Sequence, residues 1–186
     1  MHCFGNISYW KQLVKQNKIT YKVGHSFQKQ SMLSQYQIVG PNGIIKYSIP
    51  TQKISRRGPY KNVLIDYTES WQDEQWKSIE NAYKKSPFFQ FYNYKIEPVF
   101  KMKTETIIDF NLAISRVLNQ CLHTNIQLSV DDKTEVYYKD LEAFPIAKYP
   151  QVYDVKLGFI ENLSVLDLLF NLGPETLDYL NSDISS

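Results

Sequence analysis

Three histidines, His2, His25 and His123, are the side chains whose ordinary titration range falls nearest neutral pH, and each is a candidate general base. His25 has the most suggestive neighbours. It stands in Gly24-His25-Ser26-Phe27-Gln28-Lys29-Gln30, within an opening stretch that carries ten Lys and Arg and no acidic residue before Asp66. An imidazole there could take a proton from an amine or hydroxyl. Lys29, with Arg56 or Arg57 from the polar loop Ser55-Arg56-Arg57-Gly58-Pro59, could hold a phosphate or carboxylate, since guanidinium groups pair with such anions through two parallel N–H donors. A plainer reading stands beside this one: a loop histidine bonded to a backbone carbonyl, and two solvated arginines. His123 follows a helix end, where a cation favours the dipole, and His2 lies near the terminus, where loose order is expected.

Trp71 and Trp76 are five residues apart and so fall on different sides of a helix. One is expected in the core and the other could stack on a sugar or base; core packing of both is the simpler alternative.

The elements that must position these groups follow from apolar spacing. Residues 7–18 have helical periodicity and residues 19–23 read as a strand. Residues 35–39 and 44–49 flank Gly40-Pro41-Asn42-Gly43 and predict a β-hairpin, because Asn-Gly tolerates positive φ. Residues 62–66 read as a buried strand. Ser70 with Asp73 predicts the start of a helix running to Tyr83, and Ser86-Pro87 the start of a second, aromatic one that Pro98 kinks or ends. Thr104 is expected to open the strongest helix, through Cys121. Residues 125–130 and 135–138 read as strands and 144–150 as an irregular connection. Ser164 predicts a helix to Leu172, with Gly173 in the left-handed position after it and Pro174 opening a last short helix. This mixture favours a layered, mixed α/β fold in one domain spanning 1–186, with α+β as the alternative.

Composition narrows the classes. At 186 residues, 43% hydrophobic and 22% charged, the chain has the make-up of a folded globular domain. Cys3 and Cys121 offer no paired spacing for a tetrahedral metal site, so no metal is expected. Phosphate-cradling glycine loops and the common catalytic signatures are missing, so no cofactor is expected either. No apolar run approaches the roughly 18 residues of a membrane span, and the N-terminus lacks a secretory pattern; a cytoplasmic location is expected. Net charge is +10 over residues 1–103 and −8 over 104–186. That asymmetry points either to an anionic ligand or to halves that neutralise each other, and the acidic half disfavours nucleic acid. The aromatic run at 88–94 is expected to cover a homodimer face.

Taken together, several stretches resemble the WbqC-like family, a bacterial group associated with O-antigen and surface-polysaccharide clusters. They are His25-Ser26-Phe27-Gln28-Lys29-Gln30 with the Gly-Pro-Asn-Gly hairpin, Val63-Leu64-Ile65-Asp66-Tyr67 leading to Trp71 and Trp76, and Ser78 through Phe89. They continue in Asp109-Phe110-Asn111-Leu112, Tyr149-Pro150-Gln151-Val152-Tyr153, Gly158-Phe159 and Asn162 through Pro174. The resemblance implies a role in sugar-nucleotide or surface-polysaccharide metabolism, but it transfers no catalytic set. Where the family tends to carry an Arg-Asn-Arg-like stretch, this chain has Leu33-Ser34-Gln35, and the family's opening strand is missing before Phe4. The candidate set is His25 as base and Lys29, Gln30, Arg56, Arg57, Asp66, Trp71 and Trp76 as binding residues for an anionic small molecule such as a nucleotide sugar. Two functions are expected to compete: acyl or aminoacyl transfer to an amino sugar, and non-catalytic sugar-nucleotide binding or assembly.

Overall fold

The computed structural model describes residues 1–133 and 145–182. Helices and strands are intermixed along the chain as predicted, in a mixed α/β fold. Helix α1 (Ile7–Leu13) is capped by Asn6, whose side chain accepts from the Tyr9 N–H, and it stops short of the predicted residue 18. Strand β1 (Lys18–Lys22) follows and pairs in parallel with β4 (Gln127–Asp131), Lys18 opposite Gln127. The hairpin is present as β2 (Gln35–Gly40) and β3 (Gly43–Ser48), antiparallel with Gly40 opposite Gly43. Only Gly43 of its turn has positive φ, at 121°.

The strand expected at 62–66 is instead an extended, hydrogen-bonded seam. Ile65 N–H donates to Glu105 O and Asp66 N–H to Pro50 O, while Ile107 N–H donates to Val63 O. A continuous ladder does not form there: the contacts are single bridges, Thr51 to Ile65 and Leu64 to Thr106. Pro50 has no N–H to extend the pairing on its side.

The helical middle is α2 (Trp71–Tyr83), α3 (Phe89–Ile96) and α4 (Ile107–Cys121). The Ser70 side chain makes no capping bond, and Ser86, expected to cap α3, has a buried hydroxyl with no partner among the described residues. The α-helix ends at Ile96, just ahead of Pro98 as expected, and the proline sits in the first turn of a 3-10 continuation over Glu97–Lys101, where its missing N–H costs nothing. Thr106, not Thr104, caps α4 by accepting from Asp109 N–H. Phe91 and Tyr94 of α3, in the segment expected to form a homodimer face, are 65% and 63% exposed.

Helices α5 (Asp154–Leu157), α6 (Val165–Leu172) and α7 (Thr176–Asn181) complete the described chain. Ser164 caps α6 as predicted, and Gly173 takes the positive φ (54°) expected after it. The strand predicted at 135–138 and residue 144 of the predicted connection lie outside the described residues. The core gathers Trp10, Tyr36, Tyr60, Tyr83, Phe110 and Phe170 with aliphatic residues from every helix except α5.

Candidate functional site

The loop after β1 and the segment after β3 are drawn together by backbone bonds: Tyr60 N–H donates to His25 O at 2.7 Å and Lys61 N–H to Val23 O at 3.0 Å. Between them lies a cavity of about 280 Å3, lined by Phe27, Lys29, Gln30, Ser34, Ser48, Ile49, Pro50, Thr51 and Arg56. Three of the residues proposed from sequence, Lys29, Gln30 and Arg56, therefore share one hollow.

Arg56 is held in place by a single residue. Its Nε donates to Thr51 Oγ1 at 2.8 Å and its Nη2 donates to the Thr51 carbonyl oxygen. Thr51 is buried, so these bonds aim the guanidinium from a fixed base. Gln30 has φ of 57°. A non-glycine residue in that region costs about 1–2 kcal/mol, and such strain tends to collect at functional sites. Around it the loop is pinned, with Ser31 Oγ donating to Gln28 O at 2.7 Å and Cys3 N–H to Met32 O at 2.8 Å.

His25 is not in the cavity lining. Its ring stacks on Tyr60 (centroids 5.4 Å apart, 24° between planes), and Nδ1 lies 3.0 Å from Ser26 O. Phe27, which does line the cavity, stacks on the same Tyr60 at 6.0 Å and 14°. Tyr60 in turn has its hydroxyl 2.9 Å from Asn111 Nδ2, which also donates to Leu33 O at 2.8 Å. Asn111, Tyr60 and Phe27 thus connect the α4 core to the cavity wall.

Asp66, expected as a binding residue, is not in the cavity lining. Its carboxylate accepts from Thr68 N–H (3.0 Å) and Thr68 Oγ1 (2.8 Å). These bonds, the backbone one foremost and with a smaller contribution from the Arg56 charge, hold its pKa below the ordinary carboxylate value. Arg57 is exposed on the 3-10 turn Ser55–Arg57 and outside the lining.

The two tryptophans pack in the core region rather than at the cavity. Trp71 is buried, donates Nε1–H to Asp66 O at 3.0 Å and meets Phe110 edge-on at 5.7 Å. Trp76 stacks with Phe89 at 6.2 Å and tilts against Phe100 at 5.7 Å. His2 is not loose: it stacks on Tyr9 at 4.0 Å, and burial lowers its pKa to about 3.

The ten opening cations do not all converge on one hollow. Buried Lys11 donates to Tyr179 O (3.1 Å) and Ser182 O (2.9 Å) at the end of α7, where a cation meets the negative end of the helix. Lys61 pairs with Asp132 at 2.8 Å. The two halves neutralise each other in part, and Lys29 and Arg56 remain as the cations in the cavity wall.

Sequence reasoning missed Ser34, Ser48 and Thr51 in the lining, and no local pattern marks them. Asp167 is fully buried and accepts from Tyr83 OH (2.8 Å), Tyr149 OH (2.6 Å) and Gln151 Nε2 (3.1 Å). Burial raises its pKa against the opposing pull of those bonds. Tyr149 also lines a second cleft, of about 380 Å3, with Lys148, Asp154, Val155 and Phe159. That cleft sets one cation against one carboxylate and shows no bias toward an anion.

Among the described residues no cluster of three or more His, Cys, Asp or Glu is placed to hold a metal ion, and no helix is long and apolar enough to cross a membrane. What fold and site define is a mixed α/β protein with a small cation-lined hollow between a strand-to-loop junction and a hairpin. The chain belongs to the WbqC-like protein family, whose model matches residues 3–143. No curated protein and no solved structure matches it.

Proposed function

We propose that this chain binds an anionic sugar-pathway ligand, such as a nucleotide sugar, in the cavity between Lys29 and Arg56, and serves bacterial surface-polysaccharide or sugar-nucleotide synthesis in the cytoplasm. The observation that carries this reading is the fixed guanidinium of Arg56, tied twice to buried Thr51 and facing the same hollow as Lys29. Pre-organised donors gain affinity because little side-chain freedom is lost on binding. Family membership supports the polysaccharide setting.

Binding is the function the geometry supports best. Acyl or aminoacyl transfer to an amino sugar is the second reading, and the position of His25 two residues from Phe27 in the cavity wall favours it. In that scheme the imidazole takes the acceptor's proton while Lys29 and Arg56 hold the anionic group.

Thermal-shift titration with nucleotide sugars, acyl-CoAs and simple anions tests the reading. Stabilisation that rises with ligand concentration and is lost in Lys29→Gln supports binding at this cavity. Absence of any shift with every anion removes it. A donor and an acceptor that both stabilise, with turnover abolished in His25→Ala, would select transfer.

A further inference from the structure

Resting on that anion-binding reading, we infer that the cavity takes a terminal phosphate or carboxylate carried on a single sugar ring, in preference to the internal diphosphate of an intact nucleotide sugar. Three features of the hollow point the same way.

Its size comes first. At about 280 Å3 the cavity falls just under the roughly 300–1,000 Å3 typical of pockets that enclose a drug-sized ligand. It can enclose one ring with one anionic substituent, whereas the base and second sugar of a nucleotide sugar would have to lie outside it.

The donors come second. Arg56 spends Nε and Nη2 on Thr51, so the side of the guanidinium that could grip an anion through those two nitrogens is already taken. What it offers a ligand is the end-on edge, the two Nη1 hydrogens and the one left on Nη2. Lys29 is exposed and adds a compact point charge that adapts to one anionic group. An end-on guanidinium and one ammonium match a terminal group with several equivalent oxygens better than two linked phosphates in line.

The rest of the lining is the third. Phe27, Ile49 and Pro50 give an apolar wall suited to the C–H face of a ring, and Ser34, Ser48, Thr51 and the Gln30 amide supply hydroxyl and amide partners for ring hydroxyls. The left-handed backbone at Gln30 places a long, two-way hydrogen-bonding side chain where glycine would fit the φ without strain.

Isothermal titration of the full chain with glucose 1-phosphate, glucuronate, inorganic phosphate and UDP-glucose tests the inference. The expected result is that glucose 1-phosphate or glucuronate binds at least tenfold more tightly than UDP-glucose and than inorganic phosphate, with at least a tenfold loss in Arg56→Gln. Whichever of the two ring ligands binds identifies the anion. Because Arg56→Gln also removes contacts to Thr51, Lys29→Gln, an exposed position, is measured in parallel and is expected to weaken the same ligand without changing the melting temperature. UDP-glucose binding as tightly or more tightly, with the same dependence on Lys29, would overturn the inference and leave the anion-binding reading standing. Inorganic phosphate matching the ring ligands would overturn it too, since the ring would then contribute nothing. No binding by any of the four, or binding indifferent to both substitutions, would remove the reading on which it rests.

Discussion

Arg56 and Thr51 form one unit: the threonine accepts from Nε through its hydroxyl at 2.8 Å and from Nη2 through its carbonyl. Thr51 is buried and bridges to Ile65 in the extended seam, so the guanidinium inherits its position from the core. A cation fixed in this way loses little entropy when an anion arrives.

Thr51→Val keeps the shape and the carbonyl contact but removes the hydroxyl acceptor. A hydrogen bond to a charged group is worth about 1.5–3 kcal/mol, so anion affinity is expected to fall by up to roughly 10- to 100-fold. Titration of the variant with the best-binding anion measures it directly. Unchanged affinity would mean that the hydroxyl does not position Arg56.

Much of the local structure was legible because it depends on short-range signals. The hairpin was marked by Asn42-Gly43, α6 by Ser164 and its end by Gly173, and all three are present. The seam at 62–66 was legible as buried and extended but not as bridged on both sides, because its partners are 50–52 and 105–107, which no local spacing couples. The site divides the same way. Lys29, Gln30 and Arg56 stood out as charged or motif residues. Thr51 and Ser34 did not, since a small hydroxyl residue becomes part of a wall only when distant segments meet. Trp71 shows the converse: a conspicuous side chain whose indole N–H is used up on the Asp66 carbonyl.

Gly173 is a position where the backbone and a neighbour both exclude a side chain. It has φ 54° and ψ −121°, and a Cβ there would lie 2.4 Å from two Phe88 ring carbons. Gly173→Ala is expected to lower stability by about 2–4 kcal/mol, from overpacking and an unfavourable backbone. Phe88→Ala removes the collision but not the strain. Urea unfolding of the double variant should therefore show a smaller loss for the Gly173 change than it causes in the parent chain. Equal losses in both backgrounds would locate the whole effect in the backbone.

Asp167 makes stability depend on pH in a direction opposite to that of a surface carboxylate. Burial raises its folded-state pKa above the unfolded value, so the folded chain binds the proton more tightly. The stability this contributes is fully present below the unfolded pKa and is lost as pH rises through the raised folded value. Asp167→Asn cannot titrate, and it turns an amide N–H2 toward donors it cannot satisfy, including Gln151 Nε2, which already gives a proton to Tyr149 OH at 3.0 Å and Ile160 O at 2.9 Å. The penalty of the substitution is expected to be about 1–3 kcal/mol in acid and to shrink as pH rises through that window. Chemical unfolding of both proteins across the acid-to-neutral range measures the difference. A penalty that grows with pH instead would show that the three donors outweigh burial and hold Asp167 as a carboxylate throughout.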